Sequence, residues 1–233
     1  MGFISWFVLG ALCPLLAFAD CETLHKAWDD EFRHALGVKN DPGFECSGSV
    51  SILAEAAQLL KNSLPNTYQW TTHLIDETLI MSAPHQDPTV MATMTSEGRV
   101  MRVYPAFFGL DSQEQRASIL VHEAAHNVTT RHVTCRVGNE VGSEGGCDEI
   151  FSEGWKGGAY NYQFMTMQNL RKAAEKRHEL RKAAIDAQIK YLLLNKFNEI
   201  TSEQIQTWLP PERHSKSEPA PIHGHCHLGE RPL

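Results

Sequence analysis

The chain has 233 residues, 42% of them hydrophobic and 21% charged, enough to bury a core within a single domain. A net charge of −7 gives no electrostatic reason to expect nucleic acid or an anionic membrane surface as partner, and points to an acidic soluble protein.

Residues 1–19, MGFISWFVLGALCPLLAFA, carry no charged side chain and end in Ala17, Phe18 and Ala19. An AxA-type cleavage site before Asp20 predicts a signal peptide, removed on export to the periplasm or the exterior, and not a membrane span, for which the run is short. The n-region lacks Lys or Arg, and Cys13 and Cys21 follow Leu12 and Asp20 where a lipidation box wants a small residue. Cleavage leaves Cys21, Cys46, Cys135, Cys147 and Cys226. In an exported chain the nearby pairs Cys21–Cys46 and Cys135–Cys147 suggest themselves, with Cys226 left over, although sequence does not fix connectivity.

Glu22 to Leu36 places Leu24, Trp28, Phe32, Ala35 and Leu36 on one face and predicts an amphipathic helix. A turn-rich connection over 37–49 leads to a second helix, from Ser49 to Leu64, which Pro65 ends. Thr71 to Ile80 fits helix or strand. Thr89–Thr95 and Arg99–Tyr104 flank Ser96, Glu97 and Gly98, the pattern of an antiparallel hairpin with Gly98 at a positive-φ position. Such a small sheet offers an edge strand to an extended peptide, or merely packs on a helix.

Asp111 and Glu114 give an N-cap signal before a run, Ala117 to Val128, that is apolar on most of its circumference and so predicts a buried helix. Within it His122, Glu123 and His126 spell HExxH. Residues four apart on a helix stand about 40° from each other, so both imidazoles can meet one metal ion. Glu123 then lies beside that ion, placed to take a proton from the water it activates, as in zinc hydrolases. Buried polar groups need partners, and metal ligation supplies one. His132 follows six residues after His126. It would lie about 240° around from His126 if the helix continued, so a break must precede it. The bridge Cys135–Cys147 would close a loop just after it.

Gly142 to Gly146, in the sequence VGSEGGC, reads as a flexible surface loop. Ala159 to Phe197 reads as one helix of about 39 residues, nearly 60 Å long, part of it projecting as an arm or a dimer contact. Thr201 with Gln204 caps a short helix to Trp208. Residues 210–233 form a Pro- and His-rich tail, expected to be disordered, whose His223, His225, Cys226 and His227 have the composition of a metal-binding tract.

HEAAHNVTTRH resembles the HExxHxxGxxH signature of the metzincins, zinc endopeptidases whose third histidine follows a sharp turn at the end of the active-site helix. The resemblance implies His122, His126 and His132 as ligands of one catalytic Zn²⁺ and Glu123 as general base. Thr129 stands where that signature has glycine. More narrowly, LVHEAAH followed by HVTC and an aromatic, Gly-rich stretch looks like a group of largely uncharacterised exported bacterial proteins, over Tyr104 to Tyr162. Metzincins also place a methionine turn, often with a tyrosine near it, under the zinc, which makes Met165 or Met167 and Tyr160 or Tyr162 candidates. An acidic third ligand, as in thermolysin-like gluzincins, would come from Asp148, Glu149 or Glu153. The fold expected for residues 20–209 is thus α+β: a mostly helical, zincin-like single domain with a small antiparallel sheet. The function expected is hydrolysis of a peptide or protein substrate. The competing class is a non-catalytic binding protein on a degenerate metalloprotease-like scaffold.

Overall fold

A computed structural model describes residues 39–40, 49–75, 78–82, 85–95, 100–129, 132–138, 141–142, 146–174 and 179–210. The expected signal peptide, the predicted helix over 22–36, the suggested pair Cys21–Cys46, the predicted turn at Gly98 and the tail with Cys226 lie outside them. Helix α1, Ser49–Ser63, buries Leu53, Ala56, Ala57 and Leu60, the spacing of one helical face. Pro65 ends it as predicted and also opens α2, Pro65–Ile75, because a proline in the first turn forfeits no intrahelical hydrogen bond. The ambiguous stretch after it divides, with helix through Ile75 and strand β2 at Thr78–Met81.

Four short strands form one sheet in the order β1-β2-β4-β3, where β1 is Lys39–Asn40, β3 is Ala92–Thr95 and β4 is Val100–Val103. The β3–β4 hairpin is antiparallel as predicted, with Thr95 opposite Val100. The sheet as a whole is not: β2 runs parallel to β4, and β1 parallel to β2. A hairpin signal reveals only the pairing between chain neighbours. The position of β2 is set instead by Leu79, which lies opposite Met101 so that both are fully buried. The hairpin partner β3 is thereby left at the sheet edge.

After the short helix α3, Pro105–Phe108, comes α4, Gln113–Ala125, on which the core is organised. Its cap is Ser112, one residue beyond the predicted Asp111: Ser112 Oγ accepts from the Gln115 N–H at 3.1 Å and donates to Glu114 Oε2 at 3.0 Å. Every residue from Ala117 to Ala125 is buried, and α1, α2, β3 and two later helices pack around α4. Those later helices correct the expectation of one long arm. Helix α5, Ala159–Ala174, and helix α6, Glu179–Asn195, pack against each other, and Phe197 belongs to a strand. Ile185, Ile189, Leu192 and Leu193 are buried at 0–1% exposure, and a projecting helix would have left that apolar stripe in water. Strand β5, Asp148–Ile150, pairs in parallel with β6, Phe197–Glu199. Helix α7, Ser202–Trp208, begins with the predicted Thr201/Gln204 capping box. The architecture is mixed α+β and mostly helical, and among the described residues no helix is long and apolar enough to cross a membrane.

Candidate metal centre

The site is built on the last turn of α4. Three successive bonds from residue i to i−3, made by the N–H groups of His126, Asn127 and Val128, tighten the helix end, and the side-chain amide of Asn127 donates to Leu74 O at 2.8 Å. That anchor fixes where the chain leaves α4. By His132 it has come back: His132 Nε2 stands 3.1 Å from His122 Nε2, and one ring nitrogen from each of His122, His126 and His132 lies within 4.8 Å of the others. A tetrahedral centre with metal–nitrogen bonds of about 2.05 Å separates its ligand nitrogens by about 3.3 Å. The three histidines therefore fit one metal ion with minor side-chain adjustment. The chain reaches this arrangement with Thr129 in the place of the signature glycine.

A second layer holds His132. Asp148 Oδ1 lies 2.9 Å from His132 Nδ1, while its Oδ2 accepts the Asn161 N–H at 3.0 Å. The carboxylate is buried and fills the space beside Gly158, where a Cβ would fall 2.5 Å from Oδ2 and closer still to Cγ and Oδ1. Asn161 ties down the intervening turn, accepting from the Ser152 N–H at 3.1 Å and donating to Gly154 O at 2.7 Å and to Lys156 O. The predicted Cys135–Cys147 disulfide is present and, with the Val133–Cys147 bridge, draws together the segments that carry His132 and Asp148. Tyr160 packs its ring against His122 and His132, at 4.5 Å between centroids in each case.

Burial tunes these groups. His122 is held well below the usual histidine range by desolvation and by the neighbouring His132, His126 and Lys196. His126 is pushed down to about 4 by desolvation and then by His132. Both are thus neutral at physiological pH, the form that binds metal. Among the described residues His122 Nδ1 meets no partner in good hydrogen-bond geometry, and the nearby Gln163 side chain opposes the downward shift only weakly. Glu123 is pushed up to about 8 by burial, against a hydrogen bond from the Met94 backbone that favours the carboxylate. Beside these residues opens a cleft of about 1210 Å³, lined by Thr89–Thr95 and by Tyr160, Gln188, Tyr191, Leu192 and Lys196.

Of the residues singled out from sequence, His122, Glu123, His126 and His132 come together in this cleft. The acidic candidates do not reach the centre of the three histidines: Asp148 bonds to His132 from behind, Glu149 pairs with Arg136, and Glu153 is exposed. Tyr160 is at the site, whereas Met167 is fully buried in the core and Met165 packs against it, both within α5 and not in a turn. Sequence reasoning missed Lys196, Asn161, Gly158 and Gln163. The adjacent pair Gly157–Gly158, at the start of a helix and close to a buried acid, was the one signal available. No family model, curated protein or solved structure shows significant similarity to this chain.

Proposed function

We propose that the protein is a zinc-dependent endopeptidase of metzincin-like design, exported and acting on peptide or protein substrates. The observation that carries this reading is the convergence of three imidazoles beside one buried carboxylate in an open cleft. Zinc suits an all-imidazole set and, when bound, supplies Lewis acidity that polarises a carbonyl and brings the pKa of water towards neutrality. His122, His126 and His132 would hold it, with Asp148 fixing the tautomer and ring orientation of His132. A divalent cation at that point favours the ionised form of Glu123. Glu123 then accepts the proton of the attacking water and returns it to the leaving amine. Strand β3 is at the sheet edge and lines the cleft, so an extended substrate can add to it through main-chain hydrogen bonds. The disulfide suits an oxidising compartment.

The test is metal analysis of the purified protein together with cleavage of unfolded casein by wild type and Glu123→Gln. We expect about one zinc per chain in both and a loss of at least about 10²-fold in rate for the variant, the range of general acid–base catalysis. Zinc in both with equal background cleavage would sink the enzyme reading.

A further inference from the structure

We propose that the cleft selects a substrate carboxylate, with Lys196 as the specificity-determining residue. The carboxylate is either an acidic side chain next to the scissile bond or the free C-terminus of a peptide. The inference rests on the peptidase reading and adds a substrate class to it.

Among the described residues that line the cleft, Lys196 and Glu123 are the only Lys, Arg, Asp or Glu side chains. Lys196 is 8% exposed and sits at the junction of α6 and β6. Its backbone is fixed on both sides: the N–H donates to Leu192 O at 3.0 Å and the carbonyl accepts the Asp148 N–H at 2.9 Å. The side chain is placed as firmly. Nζ donates to Gly146 O at 3.2 Å and stands over the Tyr160 ring, 4.9 Å from its centroid, with the Tyr191 ring at 5.7 Å. Those rings favour a cation in that spot.

Tyr160 is the ring that also packs on His122 and His132. The ammonium and the two histidines thus share contact with one aromatic ring, and Lys196 is near enough to His122 to act on its charge. Successive residues of an extended peptide advance about 3.3 Å, so a residue adjacent to a carbonyl held at the histidines has its side chain or terminus within reach of that ammonium. A charge held away from bulk water acts on an incoming anion at a lower effective dielectric than a surface lysine does. The hydrogen bond to Gly146 O alone would be served by any donor of suitable length; the combination of rings, cleft position and positive charge is what an anionic substrate group would read.

The experiment uses the zinc-loaded protein and one fluorogenic peptide in four forms, with Glu or Gln next to the scissile bond and with a free or amidated C-terminus. Wild type is expected to cleave one carboxylate form about tenfold faster in kcat/KM than its neutral counterpart, and the responding pair identifies the source of the carboxylate. Lys196→Arg should keep most of that ratio. Lys196→Gln, which keeps a donor for Gly146 O, should bring it close to one with zinc content unchanged. A wild-type ratio of one in both pairs overturns the proposal and leaves the peptidase reading standing, whether or not any variant folds. Equal loss on all four peptides in Lys196→Gln also overturns it, since that marks a purely structural lysine. If wild type cleaves no peptide, binding of the four forms to Glu123→Gln by fluorescence anisotropy decides: a Lys196-dependent carboxylate preference upholds the selection while the peptidase reading fails, and its absence ends both.

Discussion

Replacing Gly158 by alanine tests whether metal affinity depends on the carboxylate behind His132. A Cβ there would stand 2.5 Å from Asp148 Oδ2 and nearer to Cγ, against about 3.5–4.0 Å for an ordinary contact, so the carboxylate must retreat by at least about 1 Å. Backbone strain does not enter, because Gly158 is not among the positive-φ glycines. A shift of that size breaks the 2.9 Å bond to His132 Nδ1, or the 3.0 Å bond from the Asn161 N–H, or both. Loss of a ligand's orienting partner costs about 10–100-fold in metal affinity. The assay is competition for zinc between the metal-free protein and a chromophoric chelator, for wild type, Gly158→Ala, Asp148→Ala and the double variant. We expect the two single variants to weaken binding by similar factors and the double variant to be little worse than either, since both remove one interaction. A folded Gly158→Ala protein that holds zinc as tightly as wild type refutes the reasoning. So does an effect that persists undiminished when Asp148 is already alanine.

Two further outcomes follow from groups around the same centre. In the metal-free protein the Glu123 pKa is raised from 4.5 to about 8, so the folded state holds that proton more tightly than the unfolded state, and stability present below pH 4.5 is lost as pH rises towards 8. Glu123→Gln should therefore match wild type near pH 4 and exceed it by a few kcal/mol at pH 8, with thermal melts in chelator as the measurement and a pH-independent difference as the refuting result. The lowered histidines act in the opposite sense, since their contribution is complete above pH 6.5 and lost as pH falls, towards about 4 in the case of His126, but they are common to both proteins and cancel. Replacing Cys135 and Cys147 by serine opens a crosslink of sequence separation 12 and should cost about 3 kcal/mol in denaturant unfolding. Zinc affinity should fall with it, because the bridge flanks both His132 and Asp148; unchanged affinity would show that the disulfide serves stability alone.

The parts of the site legible in the sequence are those whose geometry is local. His122, Glu123 and His126 are fixed relative to one another by one helical period, and Thr201 with Gln204 by one helical turn, so spacing alone placed them. His132 was legible as a residue type but not as a geometry. A break before His132 is required by the spacing, but with Thr129 in place of the signature glycine its form is not legible; α4 ends in a tightened turn held by Asn127 on Leu74 O, a partner 53 residues away. Asp148 was weighed as a ligand because a carboxylate near a metal motif reads that way; only the fold shows it facing Nδ1 of a histidine. The packing of α6 back on α5 left no mark either, since the sequence between them, Glu175 to His178, includes no Gly or Pro. What folds α6 back is burial of Ile185, Ile189, Leu192 and Leu193, a tertiary gain that local propensity does not register. Lys196 enters the cleft only because of that return.

The disulfide has one more consequence, for how the protein can change. Val133 bonds to Cys147 in both directions, Cys135 is bound to Cys147 covalently, and Asp148 follows at once, so His132 and its carboxylate ride on a single clamped ladder. Between the two cysteines the chain passes through Val141 and Gly142, both exposed. Closing a longer loop costs little, about 0.6 kcal/mol for each doubling. A change of length at Val141–Gly142 is therefore expected to leave the clamped ladder, and with it His132 and Asp148, in place.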